Sequence, residues 1–289
     1  VYLAIIDTGI DYLNPEFQFE DGSTKIFRIW DQTIQTGTPP DDLIIGSEYT
    51  EEQINAALEL YRQGGDPYSI VPTSDTNGHG TNMAGIMGAK GQNPLLTGAA
   101  PDAKFIIVKL RLSNTASLIA SENDFNIQLY TDAEIIMALK YVFLQARNGN
   151  TPISALLPLS TNLSPHDGSL IIEQYIDYIS TFAGIVITVP AGNEGFSDTH
   201  TEGRLQEAGD SEVIELQVGE GERNIIFDIW FQRPDRVSIS ITSPSGEIVE
   251  RIPIRERTLQ RTTFVFERTE AIIFYNTPDP NTGDENITI

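Results

Sequence analysis

The 289-residue sequence contains no cysteine, so disulfides, thiol nucleophiles and thiolate-held metals are all excluded, and redox compartment leaves no trace in it. Basic residues are scarce. Eighteen Lys and Arg stand against 41 Asp and Glu, giving a formal net charge of −23. Phosphate backbones and anionic headgroups need Lys/Arg patches, and a field of this sign repels them, which excludes a nucleic-acid binder and opposes an anionic membrane surface. The acidic excess reads as a solvated surface. Only three histidines occur, His79, His166 and His200, and none has partners at ligand spacing, so no zinc site is expected. No apolar run approaches the roughly 18 to 20 residues that span a bilayer, and no basic start leads into a short apolar stretch.

What is present is a globular composition, 40% apolar and 20% charged, sufficient for a sizeable core in one large domain or one domain plus an attachment. Residues 1–6 form a short apolar run closed by Asp7-Thr8-Gly9, the pattern of a strand buried on both faces and ending in a turn. Residues 104–110, 153–159 and 184–189 have the same character. Between them, 81–89, 132–147 and 169–182 are apolar at helical spacing. Strands alternating with helices predict an α/β fold with a mostly parallel sheet covered on both faces, in which sites gather at the carboxyl ends of strands. Asp7 sits at such an end. The Gly- and Pro-rich stretch 31–75, around a short helix at 51–61, is expected to be a surface excursion.

After His200 the period changes to two. Ile214, Leu216 and Val218 alternate with polar residues, as do Val237, Ile239 and Ile241. Further strands are expected over 225–231, 248–254, 262–267 and 271–275, separated by Gly- and Pro-rich turns with no helix between. The expected organisation is an α/β part over 1–200 and an antiparallel β-sandwich or jelly-roll module over 201–289. The chain opens at Val1 without an initiator Met and closes at Ile289 inside another strand pattern, as expected of a processed or truncated piece.

Three motifs carry chemistry. Asp7-Thr8-Gly9-Ile10-Asp11 ends the first strand, although such a turn also serves simply to cap a helix or close a strand. In Asn77-Gly78-His79-Gly80-Thr81, a histidine stands between two glycines at the mouth of an apolar helix, where nothing obstructs the imidazole. A lone histidine is more often incidental. Val189-Pro190-Ala191-Gly192-Asn193 places an amide in a glycine-rich turn at a strand end, able to donate to developing negative charge or merely to cap the turn.

Together these motifs resemble the subtilisin-like serine proteases, in that family's chain order of Asp, His and oxyanion Asn. The resemblance covers about residues 1 to 200. Gly98-Ala99-Ala100-Pro101 is similar to the family's turn after the histidine helix, and Val108-Lys109-Leu110 to its next core strand. Thr161-Asn162, His166-Asp167-Gly168-Ser169, the helix over 132–141 and the β-module after the Asn motif resemble the germination-specific subtilases of spore-forming clostridia.

The resemblance implies a subtilisin-like α/β domain with a β-sandwich or jelly-roll insert, and a serine endopeptidase acting through an acyl-enzyme. Asp7 would fix the tautomer of His79, His79 would be general base and then acid, and Asn193 would donate to the oxyanion. The nucleophile is missing, because no Gly-Thr-Ser occurs in the 289 residues. A Ser motif beyond the chain is one explanation and a pseudoprotease retained as a binding or regulatory scaffold is the other. The polypeptide alone is expected to be hydrolytically inactive and to expose apolar surface where the Ser-bearing helix would pack.

Pro158, Leu159 and Ser160 would form the substrate strand, with Gly192 also at the substrate. Pro158 cannot donate to substrate. Ser160 replaces a glycine and predicts a narrower primary pocket, and Pro190 stiffens the turn bearing Asn193. The implied partners are a protein substrate, in that branch a cortex-lytic precursor, and a prodomain, with an extracellular or spore-associated location. The loop that often holds calcium in the family falls on 90–97, where only Gln92 and Asn93 offer side-chain carbonyl oxygens, so neither metal nor cofactor is expected.

Overall fold

The computed structural model describes residues 1–113 and 129–289. These fall into two compact units, one of residues 1–160 and 174–192 and the other of 161–173 and 193–289.

The first unit is built on a six-stranded sheet. Its strands are β1 (Tyr2–Asp7), β2 (Ile26–Asp31), β3 (Ser47–Thr50), β4 (Lys104–Lys109), β5 (Ile153–Leu156) and β6 (Ile185–Thr188), in the order β3-β2-β4-β1-β5-β6. Every pairing is parallel except that of the edge strand β3 with β2. The central β1 is apolar on both faces because both are covered. Leu3 and Ile5 share a core with Ile29, Phe105 and Ile107 of the neighbouring strands, with Ile54, Ala57 and Leu58 of α1 (Glu51–Arg62), and with Ala84 of α2 (His79–Gly88). On the other face the Trp30 ring packs 5.2 Å from that of Tyr141 in α3 (Asp132–Gly149). A fourth helix, α4 (Ile171–Ser180), precedes β6. This is the expected α/β architecture, with helices on both faces.

The stretch 31–75 is no surface excursion. It supplies β3, and α1 buries Ile54, Ala57 and Leu58 at helical spacing while Val71 is fully buried. A reciprocal capping box starts α1: Thr50 Oγ1 accepts from the Gln53 amide, and Gln53 Oε1 accepts from the Thr50 amide. The strand β2 carries Arg28 in its middle, and its guanidinium lies 4.3 Å from the Phe27 ring, so a charged residue rides on an aromatic.

The second unit contains β7 (Asp228–Phe231), β8 (Ile239–Thr242), β9 (Ile248–Ile252), β10 (Leu259–Phe264), β11 (Thr269–Asn276) and β12 (Glu285–Thr288). They form an antiparallel sheet in the order β10-β11-β12-β7 and a two-stranded sheet of β8 and β9. Ile252 from the small sheet joins Ile273, Tyr275 and Ile287 from the large one in a single buried core. The alternation over 214–218 belongs to no strand, and Ile214, Leu216 and Val218 are exposed. A period of two produces a strand only where a ladder partner and a second face exist. Among the described residues no helix is long and apolar enough to cross a membrane.

Candidate active site

Parallel strands share a carboxyl edge, and on this sheet β1, β5 and β6 bring Asp7, the segment Pro158-Leu159-Ser160 and the turn leading to Gly192 to it. Asp7 ends β1 and is fully buried. Its Oδ1 accepts from the Thr8 amide at 2.5 Å. The Nδ1 atom of His79, at the first turn of α2, lies 2.8 Å from Asp7 Oδ2 and 3.0 Å from Oδ1. An ionised carboxylate only accepts, so Nδ1 carries the proton and, in the neutral ring, Nε2 is left bare. The ring itself is 44% exposed, so it can be reached.

Two glycines permit this approach. Gly78 opens α2 in the left-handed region at φ 86°, where a side chain is strained. Gly80 comes so close to the turn after β1 that no Cβ would fit between it and Gly9.

Asp75 was not singled out from sequence, yet it organises the site. Its carboxylate accepts from Thr8 Oγ1, the Gly78 amide, the Thr81 amide and Thr81 Oγ1, at 2.7 to 2.9 Å. Burial pushes its pKa up, but these hydrogen bonds outweigh burial and hold the carboxyl below its usual range. The only sequence signal was an acidic residue just ahead of a helix start. Tyr130 completes the surroundings: burial raises its pKa, and the nearby carboxylates of Asp7 and Asp75 raise it further. Beside Asp75 lies a cavity of about 240 Å³, lined among others by Asp11, Tyr12, Tyr68 and Thr73.

Pro158, Leu159 and Ser160 follow directly on β5, whose ladder extends to the Leu157 amide donating to the Thr188 carbonyl at 3.0 Å. Pro158 and Leu159 are half-buried and Ser160 is exposed. Gly192 follows β6 with φ 95° and is half-buried. Asn193, the next residue, belongs to the second unit. It is exposed, and its amide donates to Glu194 Oε2 at 2.7 Å. Asp7 and His79 are therefore brought into contact, and Pro158, Leu159, Ser160 and Gly192 lie along the same sheet edge.

In the loop over 90–97, three amides converge on the Glu16 carboxylate. Gly91 and Gln92 donate to Glu16 Oε2 and Asn93 to Oε1. Among the described residues no group of three or more His, Asp or Glu is arranged to hold a metal ion.

The sequence pattern of the subtilase family matches residues 1–215, about three quarters of the chain. The chain belongs to the subtilase family. It is 23% identical over 253 residues to the major intracellular serine protease of Bacillus subtilis (strain 168), covering 88% of this subtilase and 60% of that protein. Its structure is similar to that of the Clostridium perfringens CspB protease, with a TM-score of 0.77 and 28% identity, covering all of this chain and 55% of that one. This likeness agrees with the clostridial branch that the sequence resembles. The chain spans less than two thirds of the length of both relatives.

Proposed function

We propose that this chain is the Asp- and His-bearing part of a serine endopeptidase that cleaves a protein substrate through an acyl-enzyme. The observation that carries the reading is the hydrogen bond from His79 Nδ1 to the buried Asp7 carboxylate, in a chain whose family consists of such proteases. With its proton on Nδ1, the ring presents Nε2 to take a proton from an attacking hydroxyl. Asp7 then stabilises the resulting imidazolium without itself being protonated, and the ring returns the proton to the leaving amine. Asn193 is assigned to the oxyanion, where loss of one such donor costs about 100- to 1,000-fold in turnover.

Pro158, Leu159, Ser160 and Gly192 are assigned to the substrate strand, with Ser160 narrowing the primary pocket. The serine is assigned to sequence that follows the β-rich part, in line with the 60% and 55% of its relatives that the chain spans. Residues 1–200 would then be the first portion of the catalytic domain and 201–289 a β-sandwich or jelly-roll insert. The clostridial likeness supports a role in spore germination, with a cortex-lytic precursor as substrate, a prodomain as partner and an extracellular or spore-associated location.

A second reading rests on one observation, the absence of any Gly-Thr-Ser from the 289 residues. It is a pseudoprotease that binds a partner protease or its precursor. His79→Ala in the full-length protein separates the two: hydrolysis is expected to be abolished with substrate binding kept. Unchanged turnover would refute the assignment of His79, and a full-length protein with no hydrolytic activity would favour the scaffold.

A further inference from the structure

A helix begins with amides that have no intrahelical acceptor, and they must find partners elsewhere. The helix α2 starts at Gly78, which has no side chain with which to cap it, and its first intrahelical bond is Asn82 N–H to the Gly78 carbonyl. The preceding amides are all satisfied from outside the helix. Gly78 donates to Asp75 Oδ1 at 2.9 Å, His79 to Asn77 Oδ1 at 3.2 Å, Gly80 to Thr8 Oγ1 at 3.0 Å and Thr81 to Asp75 Oδ2 at 2.9 Å. Thr8 Oγ1 in turn donates to Asp75 Oδ1 at 2.9 Å, and Thr8 is bonded directly to Asp7. A closed ring results, running from Asp7 through Thr8 and Asp75 to the amides on both sides of His79, and back through the imidazole to Asp7.

We propose that Asp75 and Thr8 are positioning residues that set the tautomer and aim of His79 by clamping its backbone to the strand that carries Asp7. The proposal rests on the reading of Asp7 and His79 as a proton-transferring pair. Packing leaves the imidazole 44% exposed, so beyond its bond to Asp7 the ring depends on the backbone that carries it for its aim. The clamp is itself braced. Lys109 Nζ donates to the Ser74 carbonyl at 2.6 Å, fixing the residue before Asp75, and Thr81 Oγ1 accepts from the Asp11 amide at 2.9 Å. An amide at position 75 would turn an NH₂ group toward at least one of its four donors whichever way it is flipped.

The test is the tautomer of His79, read by nitrogen NMR on the 289-residue chain labelled in its histidine rings. Three histidines make assignment simple. At about pH 9, where an ordinary imidazole is neutral, the wild-type His79 ring is expected to hold its proton on Nδ1. Asp75→Asn and Thr8→Val are expected to lose that single tautomer, Thr8→Ser to retain it, and His166 and His200 to be unchanged throughout. If both disruptive variants keep the Nδ1 proton, the proposal fails while the pairing of Asp7 with His79 stands. If the wild-type ring lacks that proton, the pairing fails and takes the proposal with it. Circular dichroism checks the fold. Thr81→Val, which keeps the amide and removes only the hydroxyl, is the milder variant. Unfolding of both Asp75→Asn and Thr8→Val would overturn the proposal, since the ring of hydrogen bonds would then be holding the domain and not the imidazole.

Discussion

Gly80 crosses Gly9 so closely that a Cβ built on Gly80 would stand 2.3 Å from the Gly9 carbonyl oxygen and 3.2 Å from the Cβ of Asp7. Real side chains do not tolerate the first of these distances, so helix and turn would have to separate. That separation would act on the contact between Asp7 and His79, which lie two residues before Gly9 and one before Gly80. Gly80→Ala is therefore expected to destabilise the first unit by about 1 to 3 kcal/mol, the usual cost of overpacking, and to lengthen the bond between His79 and Asp7. Gly85, in the same helix, meets nothing within 4 Å, and there Ala is expected to stabilise by about 0.5 to 1 kcal/mol through helix propensity alone. Urea unfolding of the two variants beside wild type checks both signs. Equal stability of all three would show that the close approach constrains nothing.

Much of this arrangement is legible in the sequence. The apolar runs ending at Asp7 and over 104–110 announced buried parallel strands, and the Gly-His-Gly triplet announced an unobstructed imidazole at a helix start. Other parts were hidden for physical reasons. The strand β2 escaped notice because Arg28 interrupts it, and the sequence does not say that the guanidinium lies on Phe27. The segment 31–75 looked like surface because of its Gly and Pro residues, although α1 carries a buried stripe of Ile54, Ala57 and Leu58. The role of Asp75 depends on Thr8, 67 residues away, and long-range acceptors leave no local pattern. The alternation at 214–218 misled in the opposite direction, since it has no ladder partner.

The Glu16 carboxylate gives a prediction for the loop after the histidine helix. Burial raises its pKa, but the amides of Asn93, Gly91 and Gln92 and the charge of Lys25 together lower it further, so the folded value lies below the unfolded one. Such a group contributes stability that is present above its unfolded pKa, about 4.5, and is lost as pH falls through the lower folded value. Hydrogen exchange at Gly91, Gln92 and Asn93 is expected to lose protection on acidification through this range. Glu16→Gln, which leaves one acceptor oxygen for three amides, is expected to remove that protection at neutral pH with a local cost of about 1 kcal/mol. Protection at the three amides that is indifferent to both acid and substitution would show that the carboxylate does not hold the loop.

A buried lysine gives the last prediction. Lys25 is fully buried, its Nζ donates to the Gly88 carbonyl at the end of α2, and it lies 5.3 Å from the centre of the Phe105 ring. A cation there meets the negative end of the helix dipole, yet burial, joined by the charge of Lys90, lowers its pKa from 10.5 to about 8. Between these values the unfolded chain binds a proton that the folded one does not, so stability rises with pH, and below about pH 8 the contribution is flat. The tyrosines work the other way: burial raises the pKa of Tyr12 and Tyr141, so they oppose folding only as pH climbs past about 10. Between pH 7.5 and 9.5 the lysine acts without them, and the gain expected from it is on the order of 2 kcal/mol. Lys25→Met should erase this slope while keeping most of the buried volume. Parallel pH profiles of wild type and variant, followed by thermal unfolding, would show instead that the amine stays charged in the fold, stabilised by the Gly88 carbonyl and the aromatic ring more than it is penalised by burial.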